Sequence, residues 1–265
     1  MTDEPLVWHY GLMAECWAEF SNEAREAPFF LQEIAHFGQP VLDVACGAGR
    51  VLLPILRQGI DIDGVDISAD MLAQCRRKAA SEGFSPNLYQ QPMHAFDLPR
   101  KYKSIYLCDS FGLAGSREKD LETLQRCCAY LEENGALLVN IQAEYTSPEN
   151  WEWWLSAKRK TLPEAWPEEG RRRIAADGSE YIDRFRDVEF DPLEQSFTRA
   201  VRLEKWQSGK LVVAEEYTLR GNIYFKNELL LMLKTAGFRE ITVRGDYTDG
   251  PATADSEELV FRAIR

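Results

Sequence analysis

The stretch PVLDVACGAGRVLLPIL, from Pro40 to Leu56, constrains this chain more than any other. Val41, Leu42 and Val44 make a short apolar run between Pro40 and a pair of glycines, the pattern of a strand buried in a parallel sheet. Ala45 to Gly49 (ACGAG) then remove almost all side-chain bulk. RVLLPIL reads as a helix packed on the sheet, with Gly59 placed to cap it in a left-handed conformation and Pro54 a possible kink. A turn of small residues between strand and helix lets a ligand touch the backbone. It also aims the N–H groups of the helix N-terminus at that ligand.

Strand and helix patterns alternate up to about Tyr145. EAPFFLQEIAHFG predicts a helix stopped by Gly38, with Pro28 in its first turn. IDIDGVDIS predicts a second strand ending near Ile67, and Ser68 caps the helix ADMLAQCRRKAASEG. NLYQQ, KSIYLCD and ALLVNIQ predict three more strands, with a helix opened by Ser116 before the last. Such repeats imply a doubly wound, mostly parallel sheet, whose ligands bind outside the carboxyl ends of the strands. The ACGAG turn, Asp66, the QPMH segment and Asp109 all fall at those ends.

The pattern changes near Trp151. WEWWLSAKRKTLPEAWPEEG is rich in tryptophan and proline and has no period. Three alternating stretches follow, SEYIDRFRDVEF, QSFTRAVRLEKW and KLVVAEEYTLR, separated by the turns DPLE and QSGK. They predict an inserted antiparallel β subdomain. The basic run Arg171–Arg173 reads as solvated surface. The α/β pattern resumes with NELLLMLKTAGF, which Asn227 caps and Gly237 ends, and REITVRGDY and SEELVFRAIR close the chain as two strands. The expected organisation is an N-terminal lid segment with a cofactor-binding core over residues 1–150, a β-rich cap over 151–220, and a return to the core over 221–265.

A net charge of -12 disfavours binding to a phosphate backbone. No apolar run approaches the roughly 20 residues that span a bilayer. The acidic N-terminus lacks a cationic, apolar export signal, so a cytoplasmic protein is expected. The six cysteines include no C-x-x-C pair and read as reduced thiols; the three histidines are far apart, and no metal is expected.

The turn and Asp66 suit a ligand carrying a ribose, whose two hydroxyls a carboxylate at the end of the second strand can bind. A nicotinamide enzyme would use the same arrangement, but bulky aliphatics stand where its third glycine belongs. VLDVACGAGR, GVDIS, QPMHAFDLP and LCDSFG, in this order and spacing, resemble class I S-adenosylmethionine-dependent methyltransferases. The closing AGF…GDY and SEELVFRAIR look like that family's last helix and reversed final strand. The resemblance covers roughly Tyr10–Gln142 and Tyr224–Arg265, and is greatest to small-molecule enzymes with a β insertion before the final helix. It implies a seven-stranded Rossmann-like sheet with an antiparallel last strand, and S-adenosyl-L-methionine as cofactor.

By that resemblance, Asp43 and the backbone of Ala45, Cys46, Gly47 and Gly49 hold the methionine end of the cofactor. Asp66 holds the ribose, Ile67 and Met71 flank the adenine, and Met93 covers its other side. Cys108 or Asp109 offers a backbone carbonyl to the ammonium, and Tyr10 reaches over from the N-terminal segment. Two positions depart from the family pattern. Ala45 replaces the first glycine of the turn, at little cost if its backbone angles are ordinary. Pro92, at the adenine, stands where an acidic residue is common, and Asp97 lies too far along to replace it.

The acceptor is expected to be a small molecule, methylated on nitrogen or oxygen. Candidates to contact it are His94, Asp109, Phe111, Trp151 and Trp154; no catalytic base stands out, and alignment is the default source of rate. The tryptophans Trp151, Trp153, Trp154 and Trp166 enter just after the fifth strand, where they would either roof the acceptor pocket or build a dimer surface. The roof is favoured, and deleting the insertion is expected to spare cofactor binding while stopping transfer. The remaining alternatives are a nicotinamide oxidoreductase and a non-catalytic nucleoside-binding protein acting through its insertion.

Overall fold

The computed structural model describes residues 5–265; the first four residues of the expected lid segment lie outside the described residues. Helices α1 (Gly11–Phe20) and α2 (Ala27–Phe37) precede an alternating series. The series runs β1 (Val41–Val44), α3 (Leu52–Leu56), β2 (Ile62–Asp66), α4 (Ala69–Ser81), β3 (Leu88–Gln90), β4 (Tyr102–Leu107), α5 (Arg117–Tyr130) and β5 (Leu131–Gln142). Two short helices, α6 (Pro148–Glu152) and α7 (Ser156–Arg159), lead to β6 (Arg171–Ile174), β7 (Glu180–Asp191), β8 (Ser196–Gln207) and β9 (Lys210–Asn222). Helix α8 (Lys226–Thr235) and strands β10 (Glu240–Gly245) and β11 (Glu258–Ile264) complete the chain.

The seven-stranded sheet has the order β10-β11-β5-β4-β1-β2-β3. Strand β1 pairs in parallel with β2 and β4, whereas β11 runs antiparallel to both β5 and β10. All four residues of β1 are buried because both faces are covered. Leu42 and Val44 pack with Leu124, Leu229 and Phe261 on one side, and Val41 packs with Phe30, Ile34 and Leu72 on the other. Burying a leucine this completely stabilises the fold by about 1.5–3 kcal/mol relative to leaving it exposed.

Local chemistry sets the helix ends. Ser68 Oγ accepts from the Met71 N–H at 3.1 Å, and Ser116 Oγ accepts from the Lys119 N–H at 3.3 Å, as the sequence predicts. Gly38 and Gly237 end α2 and α8 with φ of 99° and 106°. Helix α3 keeps only five residues of the predicted RVLLPIL, with Pro54 in its first turn, where the missing N–H costs nothing. Asn227 is not a cap: α8 starts at Lys226, and extended Phe225, whose ring packs 5.2 Å from that of Trp154, occupies the cap position.

The insertion forms a separate antiparallel sheet of four strands, in the order β6-β7-β8-β9, where the sequence predicts three. The additional strand is the arginine run. In an extended strand Arg171 and Arg173 share a side, and both reach Asp183, whose side chain is 1% exposed; Arg172 turns the other way to Glu180. Arg171 and Arg172 remain mostly exposed, but Arg173 is largely buried, 3.0 Å from Cys16 Sγ.

The inner face of this sheet does not meet the large sheet directly. Tyr181, Val201, Leu203 and Leu219 pack against Trp8, Leu12, Met13 and Cys16 from the N-terminal segment. The opposite side of α1 packs through Ala14 and Ala18 on Met71 of α4 and Ala48 of the turn. The Gly11 N–H donates to Asp70 Oδ2 at 2.8 Å, and Ser68 Oγ donates to the His9 carbonyl. Helix α1 is thus wedged between the inserted sheet and the start of α4. No helix among the described residues is long and apolar enough to cross a membrane.

Candidate functional site

The turn after β1 is built for close approach. Ala45, Gly47 and Gly49 have φ of 60°, 53° and 84°, which brings the loop back under β2. There the Cys46 N–H donates to the Val65 carbonyl at 3.1 Å, and the Gly47 N–H to Asp66 Oδ2 at 2.8 Å. Ala45 therefore does not meet the condition under which replacing the glycine costs little: an L-residue is strained in the left-handed region. Gly49, proposed with the turn, does not line the cavity, and a Cβ there would stand 2.7 Å from Cys75 Sγ, so its absence lets α3 settle on α4. Gly64, within β2, does similar work beneath Cys46 and Leu52.

The turn opens into a cavity of about 520 Å³ at the carboxyl ends of β1, β2 and β4. Of the residues proposed from the sequence, Asp43, Ala45, Cys46, Gly47, Asp66, Ile67, Met71, Pro92, Met93, His94, Cys108 and Asp109 line it. Asp97 stays outside, its carboxylate accepting from the Tyr130 hydroxyl at 2.5 Å. Tyr10 does not line the cavity either. It starts α1, beside Asp66 and Asp70, where burial above all and then those charges raise its phenol pKa. Its neighbour His9 lines the cavity instead, edge-on to Trp17 at 5.3 Å. Burial lowers the His9 pKa to about 4, so the roof carries a neutral imidazole at neutral pH.

Two buried carboxylates face this cavity, and neither is ion-paired among the described residues. Asp43 accepts from the Tyr106 hydroxyl at 3.0 Å, and burial raises its pKa well above the carboxylate range against that bond. Asp66 accepts from Gly47 N–H on one oxygen and from Ser68 N–H, at 2.8 Å, on the other; burial raises its pKa and the two backbone bonds oppose this. Ser110 Oγ, also buried at the lining, has no hydrogen-bond partner among the described residues. These groups fit a ligand that brings an ammonium and vicinal hydroxyls.

A second cavity of about 410 Å³ adjoins the first and shares Asp109, Ser110 and Leu113 with it. Phe111, a predicted acceptor contact, lies here, tilted against Tyr224 at 4.9 Å. Asn140 at the end of β5 orders this region. Its Oδ1 accepts from the Asp109 N–H at 2.8 Å, while its Nδ2 donates to Asp109 Oδ1 at 2.7 Å and to Glu258 Oε2 at 2.8 Å. Arg50, not singled out from the sequence, pairs with Glu26 and with Asp109 Oδ2 at 2.8 Å. Trp151 and Trp154 line neither cavity. Trp154 packs on Phe190 and Phe225, each at 5.2 Å, and Trp153 lies beneath the Lys158 ammonium at 4.4 Å. Trp166 takes the Arg186 and Arg202 guanidinium groups over its ring, so the tryptophans form a packing seam.

Residues 41–135 match the family model described as a methyltransferase domain, which decides between the nicotinamide and S-adenosylmethionine readings of the ribose site. The chain carries a methyltransferase domain over these residues and is an S-adenosylmethionine-dependent methyltransferase. It is 23% identical over 231 residues to YqeM of Bacillus subtilis (strain 168), whose name places it among methyltransferases; 84% of this chain and 83% of YqeM are covered. It is 30% identical over 125 residues, 46% of each chain, to the dTDP-3-amino-3,6-dideoxy-alpha-D-glucopyranose N,N-dimethyltransferase of Streptomyces fradiae. A solved S-adenosylmethionine-dependent methyltransferase from Clostridium acetobutylicum ATCC 824 superposes with a TM-score of 0.71 at 15% identity, over 95% of this chain and 96% of that one.

Of the methyltransferase's second cavity, sequence reasoning had Asp109 and Phe111 and missed the rest of the lining. A further readable signal was Asn140, a polar residue inside the apolar run LLVNIQ.

Proposed function

We propose that this methyltransferase transfers the methyl group to a small-molecule acceptor held in the second cavity, on nitrogen or oxygen. The observation that carries this reading is the junction of the two cavities at Asp109 and Ser110. The first cavity offers what the cofactor needs: Asp66 for the ribose, Asp43 and the Ala45–Gly47 backbone for the amino-acid end, and Ile67, Met71 and Met93 for the adenine. When bound, S-adenosylmethionine supplies an activated methyl group, leaving the protein to align the acceptor and exclude water. His9 and Trp17 close the cofactor side, and Phe197, Leu219 and Tyr224 wall the acceptor side.

The Streptomyces fradiae relative, named as acting on an amino sugar nucleotide, supports a small polar acceptor. A cytoplasmic setting belongs to the same reading, supported by six cysteines that are all unpaired. A homodimer through the insertion would use the outer face of its sheet, because α1 covers the inner face.

The test is formation of S-adenosylhomocysteine from S-adenosylmethionine with a panel of small amines and alcohols. Turnover with members of the panel is expected. Tight cofactor binding with no turnover on any of them would favour a binding protein instead.

A further inference from the structure

The second cavity has an uneven chemistry. Among the described residues Asp109, Glu144 and Glu258 line it, and no lysine, arginine or histidine does. Its aromatic residues are Phe111, Phe197 and Tyr224. Carboxylates beside ring faces make a site for a cation. Arg50 neutralises Asp109 from the cofactor side. The groups set against Glu258 are Asn140 on β5, Asp109 after β4, and Asp246, Tyr247 and Glu257 in the loop before β11; none is a cation. Asn140 Nδ2 fixes Glu258 Oε2, and no hydrogen bond to Glu258 Oε1 is found among the described residues.

We propose that the second cavity takes an amine acceptor as its ammonium, and that Glu258, positioned by Asn140, removes the proton that blocks attack. The proposal rests on the assignment of that cavity to the acceptor. Burial, with the neighbouring carboxylates, raises the Glu258 pKa to about 7. An alkylammonium titrates near 10.4, about three units above, so proton transfer to Glu258 is modestly uphill. An alcohol titrates some five units higher still, near the 15.7 of bulk water, and this carboxylate is too weak a base for it. The carboxylate therefore selects nitrogen over oxygen.

The step balances. The acceptor N–H bond breaks, the proton passes to the Glu258 carboxylate, and the electron pair stays on nitrogen. That pair forms the bond to the methyl carbon as the carbon–sulfur pair leaves with sulfur. Glu258 then returns its proton to solvent.

Ligand-observed NMR on the full chain saturated with S-adenosylhomocysteine tests this with cyclohexylamine and cyclohexanol as shape-matched probes at pH 8. The expected result is at least tenfold tighter binding of cyclohexylamine, a preference that Glu258→Gln abolishes and Glu258→Asp partly retains. Calorimetry with S-adenosylhomocysteine shows that each variant is folded. Equal binding of the two probes, or a preference that survives Glu258→Gln, overturns the proposal while leaving the acceptor cavity in place. If neither probe binds the chain, the acceptor assignment itself falls, and the proposal with it.

Discussion

On the proposed reading Asp66 carries two tasks at once, bracing the turn and holding the ribose, and removing its carboxylate separates them. Each of its oxygens accepts a backbone N–H, from Gly47 in the turn and from Ser68 at the start of α4, at 2.8 Å. Asp66→Ala leaves both donors without an acceptor, at about 1–3 kcal/mol each. The raised pKa shows that burial already disfavours this carboxylate, so the variant recovers part of that cost. The net loss is then near the lower bound, about 2 kcal/mol. At roughly 2.1 cal/mol/K per residue of unfolding entropy, this lowers the melting temperature of the 265-residue chain by about 4 °C without any ligand. A separate loss of about 1.5–3 kcal/mol in S-adenosylhomocysteine affinity follows from the missing ribose bonds, roughly ten- to 150-fold. Thermal melts of the free protein measure the first effect and calorimetry the second. An analogue lacking the 2′- and 3′-hydroxyls should bind parent and variant with nearly equal affinity. A free-protein melting temperature within 1 °C of the parent would refute the bracing role. An unchanged affinity for S-adenosylhomocysteine would refute the ribose assignment.

Ala45→Gly relieves an alanine at φ 60°, worth about 1–2 kcal/mol, against about 0.4–1 kcal/mol of added freedom in the unfolded chain. Urea unfolding is expected to show a gain of about 0.5–1 kcal/mol. Replacing residues 151–220 by a short linker uncovers Trp8, Leu12 and Met13, so it should weaken S-adenosylhomocysteine binding at least tenfold rather than spare it. Retained affinity in calorimetry would show that docking on α4 alone holds the roof. Glu258 keeps its proton to about pH 7 in the fold but loses it near 4.3 when unfolded, so the folded state binds more protons between these values and its stability falls as pH rises through them. Allowing for solvent screening of a partly exposed group, Glu258→Gln is expected to gain about 2 kcal/mol on the parent between pH 4 and pH 8 in denaturant titrations.

The cofactor half of the site was legible because it is local. A strand followed by residues small enough for a ligand to touch the backbone is hard to write in any other letters, and Asp66 follows at the next strand end. What the letters could not carry was conformation: nothing in ACGAG says that Ala45 is left-handed, or that Gly49 yields its space to Cys75. The acceptor half was hidden by distance. Asn140 and Glu258 are 118 residues apart, and only the reversed pairing of β11, which sets Val260 beside Asn140, brings them together. The tryptophans misled because aromatic residues near a sheet edge suit a pocket wall and a packing seam equally well. Their cation and ring partners lie in strands whose register the sequence does not reveal.

The wedge of α1 between α4 and the inserted sheet has a consequence for synthesis. The partners of Leu12 and Met13 include Val201, Leu203 and Leu219, so α1 must wait for strands made long after it before it can settle. Until β8 and β9 have been translated, one side of α1 has nothing to pack on, and the roof over the cofactor cavity lacks its outer support. Ribosome-bound chains that end before residue 200 would carry the whole glycine turn and Asp66 and still hold the nucleoside poorly. On the proposed reading, competence to bind the cofactor therefore arrives only once β8 and β9 have been made, although the residues proposed to touch the cofactor emerge well before them.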